Sequence, residues 1–142
     1  YRRTKDVPRE IKAWEQALRR GTSSEEIYSD LGILYLQNQQ LEDAYSLTTK
    51  GLGLYPASAR VLNNMGVILM QRGSNCVTTL PYFLEAIKSD STFAEPYLNA
   101  GLCYEMTRAG EQTRNVWEKF LQLAPEAPQA AQVRQRLAKA QR

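Results

Sequence analysis

The chain has 142 residues, 43% apolar and 23% charged, with 18 Lys/Arg, 15 Asp/Glu and no histidine. That length suits one domain with a sizeable core, and the composition argues against disorder. Without histidine, and with two cysteines that form no CxxC pair, ordinary Cys/His zinc sites and Cys–His catalysis are excluded.

The longest nearly uncharged run, residues 61–71, is too short to span a bilayer, and no signal-peptide pattern is present. The chain opens on Tyr1 and reads as a segment of a longer protein. The compartment is therefore left open, a soluble domain with the cytoplasm slightly favoured. Residues 1–20 hold seven Lys/Arg and three Asp/Glu, residues 21–125 seven and eleven, and residues 126–142 four and one. The basic residues thus sit at the two ends. A nucleic-acid face would carry them along the middle, so no nucleic-acid partner is expected. The basic run 1–5 fits a solvated terminus or a juxtamembrane segment.

In chain order, a first helix is predicted over 7–20. Pro8 suits its first turn, Gly21 suits the position after its end, and Ile11, Trp14 and Leu18 form one apolar stripe. A second helix opens after Ser23, in a capping box with Glu26, and runs to about Gln37. Gln39 and Gln40 turn the chain into a helix over 41–54, which Pro56 terminates. Ser58 caps a helix over 59–72 that ends at Gly73. In the next segment Pro81 would cost about 3 kcal/mol inside a helix. The helix is therefore predicted to start late, with Thr78 or Thr79 near the cap, and to run to about Ser89. The alternative is a kinked helix from Asn75. Thr92 and Glu95 form a further capping box, opening a helix to about Arg108. Gly110 marks the turn, and 111–123 form the partner helix, closed by Pro125. Pro128 introduces a last helix to about Gln141. Its narrow apolar stripe, Ala130, Val133, Leu137 and Ala140, is backed by polar residues, as the end of a helical stack requires. Cys103 reads as a small buried apolar residue, and its pairing with Cys76 is left open.

One motif recurs in these helices. It reads Tyr28-x2-Leu31-Gly32-x2-Tyr35, then Leu62-x2-Met65-Gly66-x2-Leu69, then Tyr97-x2-Ala100-Gly101-x2-Tyr104. The glycines stand at positions 32, 66 and 101, a period of 34 to 35 residues. Such a period marks a helical repeat array. Glycine costs a helix up to about 1 kcal/mol against alanine, so three in register imply a close helix crossing. Gly51 and Ala86 supply the matching small residue in the partner helices, whereas Phe120 falls there in the third copy. Trp14, Thr48 and Phe83 each lie 18 residues before a motif glycine, so the first helix has the register of a second repeat helix.

The pattern resembles the tetratricopeptide repeat (TPR), W-x2-L-G-x2-Y…A-x3-F…P. The second half of the motif appears as Ala44-x3-Thr48 with Pro56, as Thr79-x3-Phe83 with Ser91 in place of proline, and as Thr113-x3-Trp117 with Pro125. The match covers about 25–127. The resemblance implies an all-α, right-handed α-solenoid of antiparallel helix pairs, about eight helices in one domain over 1–142. Its parts would be a leading half-repeat (7–21), three repeats (25–58, 59–93 and 94–127) and a capping helix (128–142).

The resemblance also implies a concave groove lined by the first helix of each pair. Its candidate contact residues are Asp30, Ile33 and Gln37 in the first copy. They are Arg60, Asn63, Asn64, Val67, Met70 and Gln71 in the second, and Leu98, Asn99, Leu102 and Met106 in the third. Asp30, Asn64 and Asn99 form one ladder. An Asn amide both donates and accepts, so these residues suit the backbone of an extended peptide, or else bonds to neighbouring helices. Ile33, Val67 and Leu102 form an apolar ladder beside it, with Met70 and Met106 nearby. Part of that ladder is open to cover by the chain's own terminal helices. One TPR subclass grips acidic chaperone C-termini through a carboxylate clamp. Ser29, Ile33, Glu95 and Asn99 stand where it would need Lys, Asn, Lys and Arg, so that ligand class is rejected. Neutral or basic segments are favoured instead.

The leading expectation is a non-catalytic scaffold for a protein or peptide, without cofactor or metal. The alternative is self-association through the unpartnered first helix. Glu25-Glu26 and Glu42-Asp43 lie in first helical turns, where the helix dipole accounts for them without catalysis.

Overall fold

The structure, a computed structural model, describes residues 6–140. The basic run 1–5 and the predicted end of the last helix at Gln141 lie outside the described residues. Within them are eight helices and no strand: α1 (Val7–Arg19), α2 (Glu25–Gln37), α3 (Leu41–Leu54), α4 (Ala59–Gln71), α5 (Cys76–Ser89), α6 (Glu95–Met106), α7 (Gly110–Leu123) and α8 (Ala130–Ala140). None of them is long and apolar enough to cross a membrane.

Ser58 caps α4 as predicted, accepting from Val61 N at 3.3 Å. Its hydroxyl also donates to Glu25 at 2.6 Å, tying the starts of α4 and α2 together. Two predicted caps are corrected. Ser24, not Ser23, caps α2, accepting from Ile27 N at 3.3 Å. Burial of Ile27 and Tyr28 sets the rotation of α2 and with it the cap. Thr92 does not cap α6. Its amide and hydroxyl both donate to Asp90, at 3.0 and 2.6 Å, and hold that carboxyl below its usual pKa. Ala94 stands at the cap position of α6 without a side-chain bond.

The turn inside each pair follows a single rule. Gln39, Gly73 and Arg108 lie seven residues after the three motif glycines, and all adopt left-handed backbone, with φ of 60°, 91° and 60°. The third turn is therefore at Arg108, and Gly110 is the first residue of α7.

The predicted late start of α5 is also corrected. The helix begins at Cys76, with Pro81 inside it. Proline has no N–H for the carbonyl of Val77. Three things offset that loss. Asn75 accepts from Thr78 N at 3.2 Å. A disulfide joins Cys76 to Cys103 of α6, with Cα atoms 5.3 Å apart. Thr79, in the motif place held by Ala44 and Thr113, is fully buried and must already be helical.

Packing defines two layers. The backbone of α2 comes close to that of α4, and α4 to α6, whereas among the described residues the backbones of α3 and α5, and of α5 and α7, stay further apart. The first helices converge while their partners splay, so the array curves with α2, α4 and α6 inside. α1 packs on α2, as α3 packs on α4. Val7 and Ile11 of α1 join Leu31, Leu34, Tyr35, Ala44 and Ile68 in one core. Burying each of those two α1 side chains contributes about 2 kcal/mol. Tyr35 also donates 2.6 Å to Glu15 of α1. Burial first, and then this bond, push its pKa upward.

Candidate partner-binding face

The thirteen candidate residues lie on α2, α4 and α6, but their environments differ. Asn63 and Asn64 are buried, at 2% and 5% exposure. Asn64 Nδ2 donates 3.0 Å to the carbonyl of Ser29 on α2. Asn99 Nδ2 donates 3.0 Å to Asn63 Oδ1 on α4, and Asn63 in turn donates 3.3 Å to Glu95 on α6. The bonds of Asn64 and Asn99 each reach back to the residue three before the preceding glycine, whereas that of Asn63 reaches forward to α6. The ladder therefore works as struts between successive first helices, which leaves less of Asn63 and Asn64 to a ligand. Asp30 stands at the first rung, where the preceding helix is of the second type.

Three recesses gather most of the other candidates. Asp30 and Arg60 meet Glu25, Glu26 and Ser29 in an opening of about 460 Å³. It holds three carboxylates and one guanidinium. Arg60 is drawn sideways, its guanidinium 5.3 Å from the Phe93 ring centre. Val67, Leu98 and Asn99 line a cleft of about 590 Å³ with Phe93, Glu95, Phe120 and the α7–α8 turn. Met70 and Met106 share a third recess of about 370 Å³ with Cys76 and Val77.

Ile33 and Leu102 are half-buried, and Gln37 and Gln71 are exposed. Leu98 and Leu102 pack against the cluster of Tyr97, Trp117, Phe120 and Val133, so α8 covers part of the apolar ladder. Arg136 of α8 pairs with Glu105 of α6 and holds that cover in place. Glu25, Phe93, Phe120 and Pro128 were not among the candidates. They reach the face from a helix start, a loop and the following repeat, which the periodicity of single helices does not reveal.

Eight helices, a 34-to-35-residue period and paired layers define a class of protein, the α-solenoids of TPR type. By sequence, no protein-family profile matches the chain, and neither does any curated protein. By fold it is similar to MamA from Desulfovibrio magneticus RS-1 (residues 41 to the end), at 19% identity and a TM-score of 0.73, covering 94% of this chain and 73% of that one. It is also similar to YrrB, described as a TPR protein with an unusual peptide-binding site, at 19% identity and a TM-score of 0.70, covering 92% and 67%. A third similar structure is the APC/C hetero-tetramer Cut9–Hcn1, at 19% identity and a TM-score of 0.81, covering 95% of this chain and 26% of that one. The chain therefore has the tetratricopeptide-repeat fold, an all-α solenoid of antiparallel helix pairs.

Proposed function

We propose that this chain is a non-catalytic interaction module that holds an extended protein segment along the α2–α4–α6 face. The observation that carries this reading is the sequence of recesses on that face. An opening with Glu25, Glu26 and Asp30 is followed by a cleft walled by Val67 and Leu98. A segment with a basic residue near one end and apolar residues beyond it complements that order. Two similar structures support the reading: YrrB has an unusual peptide-binding site, and Cut9 assembles with Hcn1 in a hetero-tetramer. The test is binding of a peptide library to the chain, its Asp30→Lys variant and its Leu98→Asp variant. Asp30→Lys is expected to reverse the preference for basic residues, and Leu98→Asp to abolish capture. Unchanged selection by both variants would remove this face from the proposal.

A second reading rests on α1, which packs on α2 without a first-type helix of its own among the described residues. It would complete its pair with another copy. Sedimentation over a range of concentrations, with and without residues 1–21, decides this, and a monomer throughout would end it for this chain.

A further inference from the structure

The chain has five sulfur-bearing residues, two Cys and three Met. Four of them converge at one place. Cys76 opens α5 and is bonded to Cys103 of α6. Met106 Sδ lies 3.9 Å from Cys76 Sγ, and Met70 of α4 lines the same recess as Cys76 and Met106. The fifth, Met65, is buried elsewhere in α4. Cys103 and Met106 are three residues apart on α6, so they share a helix face.

We propose that, once the disulfide is reduced, Cys76, Cys103 and Met106 form a binding site for Cu(I), with two thiolates and one thioether as ligands. Thiolate and thioether are soft ligands and favour Cu(I), zinc and iron–sulfur clusters over harder ions; with two cysteines the chain lacks the four thiolates of an iron–sulfur cluster. The recess contains no carboxylate and the chain no histidine, so the donor set for a harder ion or for four-coordinate zinc is missing. The spacing also fits. A metal about 2.3 Å from each of three sulfurs in a plane puts the sulfurs about 4.0 Å apart, taking the zinc–thiolate length as the guide. The Cys76–Met106 pair already stands at 3.9 Å. With Cα atoms 5.3 Å apart, side-chain rotation separates the two cysteine sulfurs once their bond is broken.

A dithiol reductant supplies two electrons and two protons and becomes its own cyclic disulfide, while Cys76 and Cys103 become thiols. Binding of Cu(I) then displaces both thiol protons and leaves one net negative charge. That charge sits at the first residue of α5, where a helix N-terminus favours the thiolate. Cys103 is fully buried, whereas Met106 is 73% exposed, so the ion enters past Met106.

The test is anaerobic competition for Cu(I) against the colorimetric chelator bathocuproine disulfonate. The reduced chain is expected to withdraw one Cu(I) per molecule, and the disulfide form none. Met106→Leu, at an exposed position, keeps the fold and is expected to weaken binding at least fivefold, whereas Met65→Leu leaves it unchanged. A reduced chain that takes no copper would overturn the proposal. So would a Met106→Leu effect below fivefold, because two thiols alone would then account for the binding.

Discussion

Trp117 occupies the space that a side chain on Gly101 would need. Its indole Nε1 donates 3.2 Å to the carbonyl of Leu98, one turn before that glycine. Phe83 stands in the same relation to Gly66, and a Cβ on either glycine would collide with the ring opposite. In the first repeat the ring is replaced by Thr48, and a Cβ on Gly32 would stand 3.3 Å from its hydroxyl. Gly101→Ala and Gly66→Ala should each lose about 2 kcal/mol or more through overpacking. Gly32→Ala should stay within about 1 kcal/mol of the parent, because the gain in helix propensity offsets a small adjustment. Urea unfolding of the three variants checks the order.

The hydroxyl of Thr48 is buried without a hydrogen-bond partner among the described residues. Such a group costs about 1–3 kcal/mol, and replacing it with a methyl of the same shape removes that cost. Thr48→Val is expected to raise stability by about 1 kcal/mol, read as a higher urea midpoint at unchanged slope.

Gln39 and Arg108 adopt left-handed backbone where the middle repeat has Gly73. A side chain there costs about 1 kcal/mol against glycine. Gln39→Gly and Arg108→Gly should each stabilise the chain by a little under that amount, since glycine also loosens the unfolded state. Gly73→Arg should lose about 1 kcal/mol. Thermal unfolding of the three variants compares them directly.

Tyr35 gives the fold a pH dependence at the alkaline end. Its phenol is held neutral by burial and by its bond to Glu15, so its folded pKa lies above the usual value. In the unfolded chain the phenol ionises near pH 10. Its contribution is fully present below about pH 10 and is lost as the pH rises towards the folded pKa. Tyr97 shifts the same way, mainly through burial. Tyr35→Phe should therefore flatten part of the fall in stability between about pH 9.5 and 11.5, a window set by that unfolded pKa. Urea midpoints across that range report it.

The disulfide closes a loop between residues 27 positions apart. The chain-entropy estimate for such a loop is about 3.5 kcal/mol. Reduction, or Cys76→Ser, should lower stability by about that amount or less. The loss should fall first on the opening turn of α5, where Pro81 has already removed a bond. Hydrogen exchange should show amides 76–80 losing protection before those of α4 or α6.

Much of this architecture was legible in the chain. The spacing of Gly32, Gly66 and Gly101 announces close helix crossings, because no other residue lets the ring of Phe83 or Trp117 reach the backbone opposite. Ser58 announces its cap. The start of α5 was not legible. Local propensity weighs Pro81 heavily, while the bond from Cys76 to Cys103 and the burial of Thr79 come from a helix 24 to 27 residues away. The candidate face was half legible. Period alone puts Asn64 and Asn99 at matching positions of their helices, but only the approach of neighbouring helices turns their amides onto Ser29 and Asn63.

The sequence by itself determined the repeat and the helix pairs. These follow from spacing along one chain and from the size of one residue. Only the tertiary structure decided which polar side chains are spent between helices and which remain on the surface, and that Cys76, bonded to Cys103, shares one recess with two methionines. Those outcomes depend on distances between helices that no single period encodes.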